Sequence, residues 1–89
     1  MIIMGDIMTA FKRDFNFDDD YMTKVSANIK KYRKEAGITQ EQLAVDIDRS
    51  YDFMRRLEFK KGKIGCSLET LYRIAVVLGQ PIDNFFKEP

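Results

Sequence analysis

From Gly37 to Pro81 the chain carries a helix stop or start signal every few residues. With the glycine-bearing loop Lys60–Gly65 between Ser50 and Ser67, no segment between two signals has room for more than about three turns. Gly37 follows a stretch of helically spaced apolar residues and supplies the residue that ends many helices. Thr39-Gln40-Glu41-Gln42 then matches a capping box, with a hydroxyl for the exposed amides and a glutamine to reach back. Asp48-Arg49 makes a tight break, and Ser50 is placed to cap the next helix. Ser67 opens another helix, Gly79 closes it, and Pro81 precedes one last turn or two over Ile82–Phe86. A chain punctuated in this way can fold only as a row of short elements.

The spacing of apolar residues makes those elements helices. Val25, Ile29 and Tyr32 recur at helical intervals from Thr23 onward, with Ala36 a further turn on and lysines around the rest of the surface. Leu43, Ala44 and Ile47 give the second helix an inner side. Phe53 or Met54 joins Leu57 in the third, and Leu68, Leu71, Ile74, Ala75 and Leu78 line the fourth. No alternating run or Asn-Gly hairpin follows residue 22, so sheet is not expected there. The expected architecture is an all-α, five-helix domain over residues 23–87. Residues 1–22 form an N-terminal extension, in which Met4, Ile7, Met8 and Phe11 have helical spacing. A loop follows at Phe15 to Asp20, whose last residue is placed to cap the first helix.

With 89 residues there is space for one small domain. The net charge of +1 conceals an uneven distribution. Residues 1–22 set two basic side chains against five aspartates, whereas residues 23–63 set eleven basic side chains against six acids. The middle of the chain therefore has the balance that a phosphate-facing surface needs, although a solvated surface also has it. There is no histidine, which removes imidazole acid–base and zinc–water chemistry, and Cys66 has no imidazole partner to activate it. No glycine-rich phosphate loop appears, and no enzyme activity, cofactor or metal is expected. A lone cysteine fits a reducing cytoplasm. No apolar run approaches the ~20 residues of a membrane span, so no membrane partner is expected.

The third helix is the unusual one. In Ser50-Tyr51-Asp52-Phe53-Met54-Arg55-Arg56-Leu57-Glu58 the apolar residues must face the second helix, where Ala44 leaves room for a close crossing. Tyr51, Asp52, Arg55 and Arg56 are then turned outward. Protruding arginines bond bidentately to guanine edges and acids accept from cytosine amino groups, so these four are candidate base readers. Tyr51 could equally pack. Lys60, Lys61 and Lys63 in the following loop are candidates for phosphate, or a generic solvated loop.

Residues 25–86 resemble the phage-repressor type of helix-turn-helix, the Cro/Xre-like family of five-helix DNA-binding domains. The resemblance is carried by "IKKYRKEAGITQEQLA", "MRRLEFKKGK" and "SLETLYRIAVVLGQPIDNFF", in that order. It implies that the third helix enters the major groove and that Gln40, opening the second, meets a phosphate, with Ser50 beside the backbone. It also implies a structural pair between Arg33 and Glu58. Three features depart from the family. Asp48 stands where glycine is usual in the turn, Arg49 stands where an aliphatic residue is commoner, and the loop after Glu58 is longer and lacks proline.

The implied function is a sequence-specific regulator of transcription, a repressor that binds double-stranded DNA. A homodimer is expected, because one such module contacts few bases and operators repeat with two-fold symmetry. Its candidate surfaces are Ile82, Phe85 and Phe86, or the apolar residues 1–11. A protein-interaction role, such as the antitoxin of a toxin–antitoxin pair with residues 1–22 masking a partner, is the alternative.

Overall fold

The spacing of Val25, Ile29 and Tyr32 becomes one face of a long helix in the computed structural model, which describes residues 19–59 and 65–89. Helix α1 runs Asp19–Glu35, α2 Gln40–Asp46, α3 Tyr51–Glu58 and α4 Leu68–Leu78. A 3-10 helix covers Ile82–Phe86. The described residues form four α-helices and that last turn, and no strand occurs among them. None of their helices is long and apolar enough to cross a membrane. The spaced apolar residues Met4, Ile7, Met8 and Phe11 lie outside the described residues.

Two boundaries differ from the sequence reading. Asp19 and Asp20 already belong to helix α1, so Asp20 lies within the helix and does not cap it from outside. At the other end the helix stops at Glu35. Ala36 sits past it in the turn and is exposed.

Three of the helices finish with the same hydrogen-bond pattern. After α1, Gly37 N–H donates to the Lys34 carbonyl and Ile38 N–H to the Arg33 carbonyl, at 3.0 and 3.3 Å. After α4, Gly79 donates to Val76 and Gln80 to Ala75. After α2, Asp48 donates to Val45 and Arg49 to Ala44. This paired closure needs one left-handed residue, and the φ values of Gly37, Gly79 and Asp48 are +73°, +67° and +61°. Aspartate is one of the few residues with a side chain that tolerates this region, which is how the turn between α2 and α3 closes without glycine.

The helix starts follow the hydroxyl residues. Thr39 Oγ1 accepts from Gln42 N–H, Ser50 Oγ from Phe53 N–H and Ser67 Oγ from Thr70 N–H, at 3.0, 3.0 and 3.1 Å. Only this half of the capping box forms at Thr39. Gln42 is exposed, and ordering its side chain would cost rotamer entropy for a bond that water also offers.

One apolar core joins the elements. Val25 and Ile29 from α1, Leu43 and Ala44 from α2 with Ile47 just beyond it, and Met54 and Leu57 from α3 are all buried. Leu71, Ile74, Ala75 and Leu78 of α4 and Phe85 complete it. Leu68 is the exception to the expected inner face, being 73% exposed. It is the first residue of α4 and lies beside the buried side, in register with exposed Tyr72 and Val76. Thr70 is buried in that turn instead.

The C-terminal turn is held on α1. The Phe85 ring meets Tyr32 edge to face at 5.4 Å. Asn28 Nδ2 donates to the Phe85 and Lys87 carbonyls at 3.0 and 2.7 Å. Phe85 is therefore a core residue and cannot also form an interface between copies, whereas Phe86 is partly exposed.

Candidate nucleic-acid interface

The geometry of α3 follows from which side the core takes. Met54 and Leu57 point inward and Phe53 is partly covered, so Tyr51, Asp52, Arg55 and Arg56 are left on the outer side. All four are exposed. Tyr51 does not pack into the core and is 48% exposed. The side chains of Asp52, Arg55 and Arg56 are 55%, 58% and 58% exposed. Sequence spacing brings them together because residues three and four apart share a helix face. Asp52 Oδ1 accepts from Arg55 Nη2, and Asp52 Oδ2 forms an ion pair with Arg56, 3.0 Å from its Nε. The outer face of α3 is thus a linked set of two guanidinium groups on one carboxylate.

Beneath it lies a second cluster of the same chemistry. Arg33 Nε donates to Glu58 Oε2 at 2.7 Å and Arg33 Nη2 donates to Glu58 Oε1 at 2.9 Å. This is the two-point contact that a guanidinium makes best. The Arg33 and Glu58 side chains are only 10% and 1% exposed. Arg33 Nη1 also donates to the Ile38 carbonyl at 2.8 Å, and Gln40 Nε2 to Glu58 Oε1 at 3.0 Å. Three donors of Arg33 on α1 and one of Gln40 on α2 thereby converge on Glu58 at the end of α3 or on the Ile38 carbonyl in the turn between α1 and α2. In this arrangement Gln40 spends one amide proton on Glu58, and the second remains for another acceptor.

The turn between α2 and α3 is fastened from behind by residues that sequence reasoning missed. Arg49 Nη2 donates to Thr70 Oγ1 at 3.0 Å, and its Nη1 donates to the Asp48 carbonyl at 2.9 Å. Arg73 Nη1 donates to the Ile47 carbonyl at 3.0 Å, while its Nη2 holds Glu69 at 2.7 Å. Arg49 and Arg73 therefore tie the turn to α4 from two sides. The Glu69–Arg73 spacing of four was a visible signal, but nothing local announces that Arg49 reaches a threonine 21 residues away.

Ser50 is exposed at the start of α3, where its hydroxyl caps the helix. Lys60, Lys61 and Lys63 lie outside the described residues. Elsewhere the titratable chemistry is plain. Burial pushes the Cys66 thiol above its ordinary range, which disfavours the reactive thiolate. No group of three or more potential metal ligands occurs among the described residues. Comparison with protein-family models, with curated proteins and with solved structures finds no match to this chain.

Proposed function

We propose that this chain is a sequence-specific double-stranded DNA-binding regulator of transcription, a repressor of bacterial, phage or mobile-element type working in the cytoplasm as a non-enzymatic homodimer. In this reading the described helices belong to a five-helix repressor-like domain, α2 and α3 are its helix-turn-helix, and α3 enters the major groove. The observation that carries the proposal is the division of α3. One side is locked into the core and onto Arg33, and the other presents Tyr51, Asp52, Arg55 and Arg56 to solvent. A rigidly mounted helix whose outer side bears guanidinium groups has the shape and donors that base edges in a major groove demand. Gln40, Ser50, Lys60, Lys61 and Lys63 are assigned to the phosphates in the same reading. Ile82 and Phe86, or the apolar residues 1–11, remain candidates for the two-fold contact.

Selection from a random duplex library tests the proposal. A motif should be enriched, and Arg55→Ala should cost about 1–3 kcal/mol at particular bases. Lys61→Ala should weaken all sequences alike and lower the salt slope by about one. A library that returns no motif, with binding indifferent to Arg55 and Arg56, would leave the protein-interaction role standing. No observation on the described residues favours that role. Sedimentation of a monomer, both free and on DNA, would remove the homodimer from the proposal.

A further inference from the structure

Asp52 is bonded in a way that a simple base reader need not be. Its two oxygens are divided between two arginines: Oδ1 accepts a hydrogen bond from Arg55 Nη2, and Oδ2 is ion-paired with Arg56, 3.0 Å from Nε. A guanidinium carries five N–H donors in a fixed plane. Arg56 is paired with the carboxylate on its Nε side, so the protons of both terminal nitrogens are not taken by Asp52. Arg55 is held through one proton of Nη2 and keeps the remainder. The carboxylate therefore restrains each side chain without consuming the donors that a bidentate contact needs. Its own place is fixed by Ser50, whose hydroxyl caps the first turn, and by the buried Met54 and Leu57.

Charge adds a second consequence. Glu58 is spent on Arg33, so the exposed charges of α3 are Arg55, Arg56 and Asp52. Asp52 cancels one of the two positive charges. It thereby lowers the attraction to any phosphate backbone, a term that is independent of sequence. It leaves the geometry for base edges in place.

We infer that Asp52 is a positioning residue that sets the specificity of this face. It orients the Arg55 and Arg56 forks for guanine edges and suppresses their capture by phosphates of arbitrary sequence. The inference rests on the DNA-binding reading above and goes beyond the role of Asp52 as an acceptor for a cytosine amino group. The two roles differ in what a substitution relaxes. A direct reader governs a base position of its own, whereas a positioning residue governs the positions its arginines read.

The test uses the full chain, a random duplex library and one mixed-sequence duplex as the non-specific probe. Wild type, Asp52→Asn, Asp52→Glu, Arg55→Ala and Arg56→Ala are each selected and then titrated at several salt concentrations. Asp52→Asn should relax the same base positions as the two arginine variants. Its preference for the selected motif over the mixed duplex should fall about tenfold, the scale of one good bidentate pair. Its salt slope on the mixed duplex should steepen by about one as a freed guanidinium finds a phosphate. Asp52→Glu, which keeps the carboxylate, should recover part of the preference. A base position relaxed by Asp52→Asn alone, with the arginine positions intact, overturns the inference, as does an unchanged preference. In either case the DNA-binding reading survives. Wild type that enriches no motif ends that reading and this inference together, and it does so before any variant is compared.

Discussion

The helix that closes the α2–α3 pair carries two arginine–carboxylate clusters, one on each side, and they are built for opposite purposes. On the inner side Arg33 and Glu58 are almost sealed from water, and their donors and acceptors are matched by two mutual bonds plus Ile38 and Gln40. On the outer side Asp52 shares its oxygens with Arg55 and Arg56 in full view of solvent. Burial decides the difference. A desolvated charge has no substitute partner, so the inner set can only hold the elements together. An exposed pair trades its partner for water at little cost, so the outer set is free to trade it for a ligand. The same residue types therefore serve as scaffold at one place and, in the proposed function, as an interface at the other.

The largest test of this contrast is Glu58→Ala. It strands the Arg33 guanidinium and the Gln40 amide in a closed site and should cost about 3–5 kcal/mol in urea or thermal unfolding. For a domain of this size that is a large part of the total stability. The pair Arg33→Met with Glu58→Leu removes both charges and should restore most of the loss, because matched apolar side chains leave nothing unpaired. A loss under about 1 kcal/mol for Glu58→Ala would mean that water reaches the pair after all.

The outer cluster should behave in the reverse way. Arg55→Ala and Arg56→Ala should each change unfolding stability by no more than about 0.5 kcal/mol, since both side chains stand in solvent. On a selected duplex each should remove about 1–3 kcal/mol of discrimination. Comparable losses in folding and binding would show that the outer residues are part of the scaffold too.

Next in size is Asp48→Gly in the turn between the two clusters. Asp48 holds φ at +61°, a conformation that glycine adopts without a Cβ penalty. The substitution should raise stability by about 0.5 kcal/mol, the backbone gain exceeding the added freedom of glycine in the unfolded chain. A loss on thermal unfolding would reveal a contact of the Asp48 side chain that outweighs the backbone.

How far these regions were legible in the sequence depends on the range of the interactions that made them. The caps at Thr39, Ser50 and Ser67 and the stops at Gly37 and Gly79 act within one turn, and local spacing is enough to read them. The outward set of α3 was legible for the same reason. The side of a helix that Leu68 takes was not, because at a first turn it depends on which neighbours happen to cover it. Asn28 on the Phe85 carbonyl and Arg49 on Thr70 are bonds across 57 and 21 residues, and no pattern inside either segment encodes them. Gln40 shows the intermediate case: its place at the head of α2 was legible, but its bond to Glu58 depends on how α2 crosses α3.

An effect that concentrated salt should erase gives the sharpest comparison. Asp52 makes two surface pairs, at spacings of three and four on one helix. Each such pair contributes about 0.3–0.5 kcal/mol, and a carboxylate near the start of a helix adds a few tenths from the dipole. With all three groups more than half exposed, Asp52→Ala should cost no more than about 1 kcal/mol at low ionic strength, since alanine's higher helix propensity offsets part of the sum. The Debye length falls from about 10 Å at 0.1 M to about 3 Å at 1 M, so most of that cost should vanish in concentrated salt. Glu58→Ala should keep its cost under the same conditions, because ions do not enter a site whose carboxylate is 1% exposed. Melting both variants across a salt series measures the two responses side by side. A loss for Asp52→Ala that persists at 1 M would place that carboxylate with the inner cluster, and the division of α3 into a scaffold side and a free side would fail.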